Sequence, residues 1–456
     1  MKRFLVFKQY IKQSLIVPYL KYKFNRMVQR LAIVLILFPL LAFGQISGIV
    51  KDSQGNPIPF STIFIKELRS GTVANEEGVF LLNLPDGNYT ATFQALGYRT
   101  AEKNISIPGL NDTLFISLQP NLFFLPEVIV NKSDFEKGEI IARKTISLAP
   151  FHRQKIKTYT AKSYIKGSAR VKDVPFLLRK TLKESGLDST TSFVLESTSK
   201  IFFESPDKFT ETIETFRSLG TENPAVAPFF YPDFTRENSG STFSPLSENA
   251  LNHYTYRLDQ TFYDQNQLIY KLNVIPNRNA EGLFKGDIYI LDNIWSLYAT
   301  DLSTTTNGFE ISINQTFAPM DPKNWMPVSN KIILSGNITG FRFEYLYLTT
   351  IKDYTIEYQD NSFFEKYGFV DTLYADPFYN PEKKEVKNIR NLSGGNKSKF
   401  ESIIIDSLAI SVPDQTWDSI RPVPLTAYEV KGIQLIDSIV ESNPEIFNNT
   451  PSYPTQ

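Results

Sequence analysis

Histidine and cysteine, which carry much of the metal and nucleophilic chemistry of proteins, are scarce in this chain. The two histidines, His152 and His253, lie far apart in the sequence, and cysteine is absent. A zinc peptidase needs two or three ligands and a carboxylate that converge on one water molecule. Neither HExxH nor HxxE occurs. We therefore expect both histidines to be structural or solvated, and we predict no metal site and no cofactor.

Other catalytic patterns are missing as well. The absence of cysteine excludes thiol catalysis, disulfides and a lipidated N-terminal cysteine. The sequence contains no G-x-S-x-G elbow, no G-x-G-x-x-G and no P-loop. Glu76 and Glu77 form an acidic pair, for which a solvated turn before a strand is the simpler interpretation. A glycosidase needs only two carboxylates, so the acidic residues leave that class open. We predict no catalytic residues and no enzymatic activity.

The composition favours a β-rich protein outside the nucleic-acid-binding classes. The chain has 456 residues, and its 48 Lys and Arg are balanced by 48 Asp and Glu. A nucleic-acid binder usually shows a basic balance and a basic face. The 36 Phe and 23 Tyr favour strands. An exported protein without disulfides fits a bacterial envelope better than a eukaryotic secretory route.

The N-terminus has the pattern of a signal peptide. Residues 31–43 read LAIVLILFPLLAF, an apolar run of about 13 residues where a membrane span needs about 20. Small residues follow at Ala42 and Gly44, as a signal peptidase requires. We predict a signal peptide over 1–44, with Gln45 first in the mature protein and Met27 as a possible start. An uncleaved anchor and a buried helix are the alternatives. The basic residues that precede the apolar run are Lys21, Lys23, Arg26 and Arg30.

Residues 46–119 show short alternating strands separated by turns. The segments 52–57 and 85–88 carry turn chemistry, and apolar residues alternate with polar ones on either side of the second turn. We predict a small antiparallel β-sandwich that folds alone, with Gly87 at a positive-φ turn position. Residues 120–137 are predicted to be a linker.

This stretch resembles a known accessory domain. The segments GIVKDSQGNPIPFSTIFI, GTVANEEGVFLLNLPDGNYTATFQALGYRT and DTLFISLQP are similar to the carboxypeptidase regulatory-like domain. The resemblance implies a transthyretin-like sandwich that is not itself the peptidase. LPEVIV, at 125–130, resembles the short strand that leads to the next domain in related proteins.

Residues 138–365 are predicted to form a second, larger β-rich module. A short helical segment, EIIARKTI, opens it, and strands with apolar residues of one parity follow at short intervals. Short connections favour an antiparallel meander, and a long meander must curl to hide its apolar face. The predicted fold class is therefore mainly β, a small sandwich followed by a larger curved antiparallel sheet with short helices.

Four segments carry a second resemblance. FSPLSENALNHYTYRL, FKGDIYILDNIWSL, NQTFAPMDPKNWMPVSN and WDSIRPVPLTAYE are similar to a family of unknown function from Gram-negative envelope proteins. Its members join this domain to a carboxypeptidase regulatory-like domain, and longer members continue into an outer-membrane β-barrel. The sequence ends at Gln456, where a barrel would begin. The sheet pattern also resembles, more weakly, the half-open barrels that carry lipoproteins between envelope membranes.

Residues 366–456 are predicted to contain a linker, one short helix and a disordered tail. SGGNKSK, at 393–399, has the composition of a flexible linker. Thr426 and Glu429 are spaced as a capping box for a helix that ends near Ser442. Its apolar stripe is expected to pack against the large module.

Three hypotheses for function follow. The first is a non-enzymatic interaction scaffold in the periplasm or at the outer membrane, with an envelope protein as partner and no nucleic acid. The second is a carrier whose curved sheet encloses a lipid or acyl chain. The third is the accessory region of an outer-membrane transporter or barrel protein. A cavity lined by Phe and Tyr favours the carrier, whereas a filled core favours the scaffold.

Overall fold

A computed structural model describes most of the chain from residue 44 onwards. The described residues are 44–107, 113–121, 132–176, 179–180, 192–217, 231–237, 242–322, 324–338, 340–360, 362, 399–406, 409 and 414–442.

The first module is a two-sheet sandwich of seven strands. One sheet has the order β4-β1-β7 and the other the order β3-β2-β5-β6. Apolar side chains on alternating positions of both sheets form one core, with Phe80 packed against Phe93 at a ring-centroid distance of 5.7 Å. The strands are β1 (Gly44–Asp52), β2 (Thr62–Ile65), β3 (Ser70–Val73), β4 (Val79–Leu84), β5 (Gly87–Gln94), β6 (Ala101–Ile107) and β7 (Leu114–Leu118).

The prediction that Gly87 has a positive φ is wrong. Gly87 is the first residue of β5 and pairs with Ile107 in extended conformation. A Cβ atom there would lie 2.8 Å from the hydroxyl of Tyr89, which donates a hydrogen bond to the Pro85 carbonyl. The position needs a glycine because of this tyrosine and not because of backbone strain. The glycines of this module with positive φ are Gly55, Gly78 and Gly97, and a Cβ on Gly78 would meet the Val50 carbonyl at 2.6 Å.

The second module is one curved sheet of eleven strands with a long helix against it. The helix α1 spans Lys132–Gln154, so it begins before the predicted boundary at 138 and extends well past EIIARKTI. The strand order is β11-β12-β13-β14-β15-β16-β17-β8-β9-β10-β18. The strands are β8 (Ile156–Asp173), β9 (Ser192–Glu204), β10 (Lys208–Arg217), β11 (Tyr254–Asp264), β12 (Gln267–Pro276), β13 (Lys285–Leu291), β14 (Leu297–Thr306), β15 (Phe309–Asp321), β16 (Asn324–Ile338), β17 (Phe341–Tyr358) and β18 (Lys399–Ile405).

The predicted antiparallel meander is confirmed for β11 to β17, whose successive strands all pair antiparallel. Two residues in left-handed conformation, Gln265 and Asn266, connect β11 to β12 at the predicted turn. Such two-residue turns match the twist of a hairpin. The strand β8, which precedes the meander in sequence, pairs with β17 and so adds β8, β9 and β10 to the sheet beside the last strand of the meander.

Helix α1 covers one end of the concave face. Gly138 brings the helix against the backbone of β11, since a Cβ there would lie 2.5 Å from the Tyr256 carbonyl oxygen. Ile141 and Leu148 then pack on apolar residues of β11 to β16 to form the largest core of the protein. The helix contacts β11 extensively and β8 only slightly. The rest of the concave face is therefore not covered by α1.

The convex face is covered by the sandwich and the C-terminal segment. Val73 and Phe60 of the sandwich pack with Leu346 and Leu348 of β17. The C-terminal segment, residues 414–442, contributes Trp417 to the same cluster and contains two further helices. These are α2 (Asp414–Ile420) and α3 (Ala427–Ser442).

The region predicted as linker and tail contains a strand as well as helices. β18 pairs parallel to β10 at the edge of the large sheet. Its FESIII sequence has β-branched residues that suit such an edge. The predicted helix at 427–442 is confirmed, and so is its capping box, in which the Glu429 amide donates to Thr426 Oγ1 and Glu429 Oε2 accepts from the Thr426 amide.

Several sequence predictions lie outside the described residues. The predicted signal segment up to residue 43, with Ala42, is one of them, and LPEVIV and most of SGGNKSK are others. Gly44 and Gln45 begin β1, where they pair with Leu84 and Asn83. In the part of the chain that the structure describes, no helix combines the length and apolar character that crossing a membrane requires.

Candidate functional site: the concave face of the large sheet

Four aromatic residues form a ladder along β17 on the concave face. Phe341, Phe343, Tyr345 and Tyr347 occupy alternate positions and therefore point to the same side of the sheet. The rings of Phe343 and Tyr345 are 5.5 Å apart, and those of Tyr345 and Tyr347 stack at 6.4 Å. All four side chains are partly exposed. We call these residues the aromatic ladder.

Neighbouring strands extend this apolar surface sideways. Leu334 lies opposite Tyr345 on β16, and Ile311 lies opposite Leu334 on β15. Phe309 approaches Phe343 at 5.9 Å between ring centroids. Because directly paired residues share a face, the surface runs unbroken from β15 to β17, and each of these side chains is partly exposed.

Two glycines make room for the rings. A Cβ at Gly167 would lie 2.8 Å from ring atom Cε1 of Tyr347, and one at Gly336 would lie 2.7 Å from Cδ1 of Phe309. Neither glycine has a positive φ. Their role is thus close approach, since aromatic rings can lie flat over a strand only where no side chain stands beneath them.

The ladder joins the covered end of the sheet without a break. Tyr347 packs against the core under α1 and pairs with Ile332, which is buried in that core. Phe341, Phe343 and Tyr345 lie outside that core, and all four ladder side chains are partly exposed. One continuous apolar surface is therefore covered by helix α1 at one end and partly exposed at the other end, near Phe341.

The chemistry of this surface is that of apolar binding. Aromatic and aliphatic side chains supply area without charge, and the two tyrosine hydroxyls add polar tips. Exposed apolar surface of this kind marks binding grooves or interaction sites.

A buried acid lies on the same face, away from the ladder. The Tyr231 hydroxyl is 2.7 Å from Glu211 Oε1 and 3.0 Å from Ser163 Oγ, and Ser163 shares its face of β8 with Ile165 of the core. Burial raises the pKa of Glu211 above its usual value, while the hydrogen bond from Tyr231 acts in the opposite direction. Burial also raises the pKa of Tyr231 well above its usual value, and Glu211 adds to the effect.

The convex face differs from the concave face because it holds two buried ion pairs. Arg421 of the C-terminal segment binds both carboxylate oxygens of Glu196 at 2.7 Å, and Tyr164 donates to the same carboxylate at 2.5 Å. Burial alone would lower the pKa of Arg421, but hydrogen bonding and attraction from Glu196 raise it instead. Planar bidentate pairs of this type fix both distance and orientation.

The second pair involves the capping box of α3. Glu429 accepts from Lys166 Nζ at 3.0 Å and from the hydroxyl of Ser168, and both partners are on β8. Burial alone would raise the pKa of Glu429, but Lys166, Ser168 and the Thr426 amide lower it. The carboxylate that caps the helix therefore also fastens it to the sheet. We call the Arg421–Glu196 and Lys166–Glu429 pairs the clamp.

The sandwich is attached to the same face by hydrogen bonds. Thr62 Oγ1 is 2.9 Å from Ser329 Oγ, and Thr72 Oγ1 donates to the Pro422 carbonyl at 2.7 Å. Arg170 of β8 binds Glu76 at 2.6 Å. The sequence predicts a solvated turn for the acidic pair at 76–77, whereas in the structure Glu76 makes this contact with Arg170.

The two histidines have structural contacts. His152 Nε2 lies 2.8 Å from the Ile294 carbonyl oxygen and ties the end of α1 to the β13–β14 turn. Burial, with the positive charges of Lys155 and Arg153, holds the pKa of His152 well below its usual value, so the neutral ring donates this hydrogen bond. His253 packs on Phe243 at 4.6 Å between ring centroids. Within the described residues, no group of three or more potential ligands could hold a metal ion.

Comparison with family models assigns both modules. Residues 46–130 match the CarboxypepD_reg-like domain, and residues 141–354 match a family of unknown function, DUF5686. The chain joins a carboxypeptidase regulatory-like domain to a DUF5686 domain. The two resemblances drawn from the sequence are thereby confirmed. The first of these domains is a non-catalytic accessory domain.

A curated relative matches part of the first module. Carboxypeptidase Z of Gallus gallus is 35% identical over 63 residues, which are 14% of this chain and 10% of that protein. The chain thus spans a small part of the relative's length, and the match says nothing of peptidase activity here.

Two solved structures are similar to about half of this chain. A domain described as an outer membrane lipoprotein-sorting protein from Vibrio parahaemolyticus is 11% identical, with 53% of this chain and 99% of that chain covered and a TM-score of 0.25. A LolA superfamily protein from Nitrosomonas europaea is 9% identical, with 49% and 96% covered and a TM-score of 0.21. At TM-scores this low, neither structure informs the ligand or role of this chain.

Sequence reasoning found the ladder but not its exposure. The shared parity of the aromatic residues in FRFEYLY indicated one face of a strand, and the alternation was interpreted as an internal core. The clamp was not predicted, because Lys166, Glu196 and Arg421 are far apart in sequence and carry no pairing signal. The capping-box spacing was the one local sign that Glu429 had a fixed position.

Proposed function

We propose that this chain is an exported, non-enzymatic envelope protein whose DUF5686 domain binds an extended apolar chain on its concave face. The ligand class is a lipid or acyl chain, as in the second sequence hypothesis. The observation that carries the proposal is the aromatic ladder, which continues the core surface beyond the end of α1 and leaves it partly exposed.

The shape of the surface favours a linear ligand. The four ladder residues span seven strand positions, and the six steps between them correspond to about 20 Å at roughly 3.3 Å per residue. The surface extends sideways from β15 to β9, since Leu195 of β9 and Gly167 of β8 pair in the row of Tyr347. Its length along β17 suits an extended acyl chain.

The apolar character of the strip accounts for affinity without a charged anchor. Burial of apolar surface contributes about 25 cal/mol per Å², and a flexible acyl chain loses part of this gain when it is ordered. We therefore expect micromolar affinity and broad tolerance of chain length. Selectivity for a headgroup would have to come from residues beyond the strip.

Binding of a fluorescent fatty acid to the full chain tests the proposal. Tyr345→Glu places a charge in the middle of the ladder and should weaken binding by at least about tenfold, because a carboxylate against an acyl chain must be desolvated. Tyr263→Glu is the matched control, because Tyr263 is an exposed tyrosine at the end of β11. No binding by the unmodified protein, or equal loss in both variants, would contradict the proposal and leave the scaffold hypothesis in its place.

Export is tested separately. The pattern at 21–44 supports cleavage after Gly44 by a signal peptidase. N-terminal sequencing of the protein from a Gram-negative host should give Gln45 first. An intact 31–43 segment in the mature protein would contradict the assignment.

A further inference from the structure

A row of polar residues follows directly after the aromatic ladder on the concave face. Thr349 comes two positions after Tyr347 on β17 and therefore lies on the same side of the sheet. It pairs with Asn330 of β16, which pairs with Gln315 of β15, and Gln315 pairs with Thr300 of β14. We call Thr300, Gln315, Asn330 and Thr349 the polar row. Each of the four is at most 2% exposed.

The folded chain leaves hydrogen-bonding atoms of this row unused. Within the described residues, the hydroxyls of Thr300 and Thr349 and the side-chain carbonyl oxygen Oε1 of Gln315 are buried without a hydrogen-bond partner. Such an atom has lost its hydrogen bonds to water, so it destabilises the fold unless something binds it. Buried polar atoms are nearly all paired in natural proteins. Three unpaired atoms in one line across the sheet indicate a site that is completed by a bound polar group.

A short segment of the chain crosses the polar row. Residues 231–237, which we call the strap, begin at Tyr231, whose hydroxyl is hydrogen-bonded to side chains of β8 and β10. The carbonyl of the next residue, Pro232, accepts a hydrogen bond from Gln315 Nε2 of β15 at 3.0 Å. In the sheet, β17 and β16 lie between β8 and β15. The strap therefore passes over β16 and β17 and the members of the polar row on them.

The two ends of the strap are held differently. Phe234 is buried in the largest core and packs on Phe284 at 5.3 Å between ring centroids. Tyr231 is partly exposed, and its hydroxyl is bound to Glu211 and Ser163 by hydrogen bonds that water can replace. The Tyr231 end is therefore the end that can lift from the sheet while Phe234 stays in place.

We propose that the polar row binds the uncharged, hydrogen-bonding head of an acyl ligand, and that the Tyr231 end of the strap moves aside to admit it. The inference rests on the proposed function and adds the chemistry of the head, since the chain of the same ligand would lie along the ladder. Gln315 Oε1 can only accept a hydrogen bond, whereas the threonine hydroxyls can donate or accept, so the head must carry at least one donor. No residue of the row is charged, and an ionised head would be desolvated there without a counter-charge. A monoacylglycerol, with two free hydroxyls, has the required chemistry.

Two adjacent threonines of β17 provide matched variants. Thr349 and Thr350 are both fully buried with unpaired hydroxyls, but Thr350 pairs with Tyr164 and lies on the convex face. Either valine variant should unfold at an equal or higher denaturant concentration, because an unpaired buried hydroxyl is removed. Thr349→Val should also weaken monoacylglycerol binding to the full chain by about fivefold, the factor that one ordinary hydrogen bond contributes, and Thr350→Val should leave it unchanged. Titration calorimetry measures the binding.

Three results of these measurements would overturn the assignment of the row. They are unchanged monoacylglycerol binding by Thr349→Val, an equal loss in Thr350→Val, and a lowered unfolding midpoint for Thr349→Val, which would mean that its hydroxyl is already paired in the free protein.

The charge of the head is tested with two ligands that have the same acyl chain. At pH 8 palmitate is ionised, whereas monopalmitoylglycerol is neutral. We expect monopalmitoylglycerol to bind at least about tenfold more tightly, because the carboxylate must be desolvated in a row without a cation. Equal affinities, or tighter binding of palmitate, would overturn the assignment of an uncharged head.

A variant of the strap tests whether it covers the row. Tyr231→Phe keeps the ring and removes its hydrogen bonds, so the strap should open more readily and monoacylglycerol should bind about fivefold more tightly. Tyr354→Phe is the matched control, because Tyr354 packs on the same face and donates to the Pro327 carbonyl outside the strap. Its affinity should not change. Unchanged or weaker binding by Tyr231→Phe would overturn the role of the strap as a cover.

The ladder variant Tyr345→Glu separates this inference from the proposed function. If Tyr345→Glu weakens binding and Thr349→Val does not, the ladder binds the acyl chain and the assignment of the head alone fails. If Thr349→Val weakens binding and Tyr345→Glu does not, the polar row binds a ligand and the proposed function of the ladder fails.

Discussion

The two faces of the large sheet belong to the same strands, but their side chains make different kinds of contact. On β8, Tyr164, Lys166 and Ser168 face the convex side and hold buried carboxylates of β9 and α3. The residues between them face the concave side, where Ile165 is covered by core and Gly167 lies under Tyr347. One strand therefore carries a polar, fully paired row and an apolar, partly open row.

The difference indicates what each face is for. Buried ion pairs contribute little net stability compared with well-packed apolar groups, but they penalise every arrangement that leaves a charge unpaired. They suit a contact that must form in one geometry, such as the attachment of the C-terminal segment. An apolar strip without charges leaves no charge unpaired when a ligand shifts along it. Such a strip therefore suits a ligand of variable length. This difference is consistent with the proposal that the convex face holds the parts of the protein together and the concave face binds a ligand.

Breaking the clamp should produce the largest change in the free energy of unfolding. Arg421→Ala leaves Glu196 buried beside Tyr164 without its cation, and we expect a loss of about 3–5 kcal/mol in the free energy of unfolding. The measurement is denaturant unfolding of the full chain, together with the rate of proteolysis within residues 414–442. The double variant Arg421→Met/Glu196→Met removes both charges and should recover most of the loss. A loss below about 1 kcal/mol would mean that the pair is solvated and does not fix the segment.

The pH dependence of the clamp provides a second test. The folded-state pKa of Glu429 is lowered, so its stabilising contribution is present above the unfolded-state pKa and is lost as pH falls through the folded-state pKa. Glu429→Gln should therefore be less stable than the unmodified protein at pH 7, and the difference should shrink as the medium is acidified below pH of about 4.5. Unfolding midpoints measured between pH 7 and pH 3 check this. A difference that is independent of pH would contradict it.

Glu211 on the concave face should change the pH dependence of stability in the opposite direction to Glu429, and by a smaller amount. Burial raises its folded-state pKa, so folding is favoured below the unfolded-state pKa and the advantage is lost as pH rises. Glu211→Gln keeps an acceptor for the Tyr231 hydroxyl and removes the charge. It should be more stable than the unmodified protein at pH 7 and equal to it at low pH. A destabilised variant at pH 7 would show that the carboxylate has a cationic partner.

The sequence predicted the architecture better than the contacts between its parts. Turn chemistry at Gln265 and Asn266 and the parity of the aromatic residues are local signals, and both are present in the structure. The position of Gly87 was misassigned, because turn composition does not show that Tyr89 folds back over it. The domain limits and the signal cleavage at Ala42, Gly44 and Gln45 stay predictions.

The sequence predicts which residues of the candidate site share a face, but it does not predict which of them are exposed. Alternation shows which residues share a face, but the length of the covering helix decides which of them are buried. Helix α1 ends at Gln154 after covering β11 and its neighbours, and nothing in FRFEYLY signals that the helix stops short of it. The clamp depends on pairs such as Arg421 with Glu196, whose separation in sequence hides their contact.

Photocrosslinking with a diazirine-labelled fatty acid tests most directly whether the concave face binds an apolar chain. The account predicts that labelled peptides map to residues 309–313, 332–336 and 341–347, that excess unlabelled fatty acid abolishes the label, and that Tyr345→Glu removes it. Label concentrated on the sandwich or on the convex side of β8, unchanged by Tyr345→Glu, would contradict the assignment of the two faces.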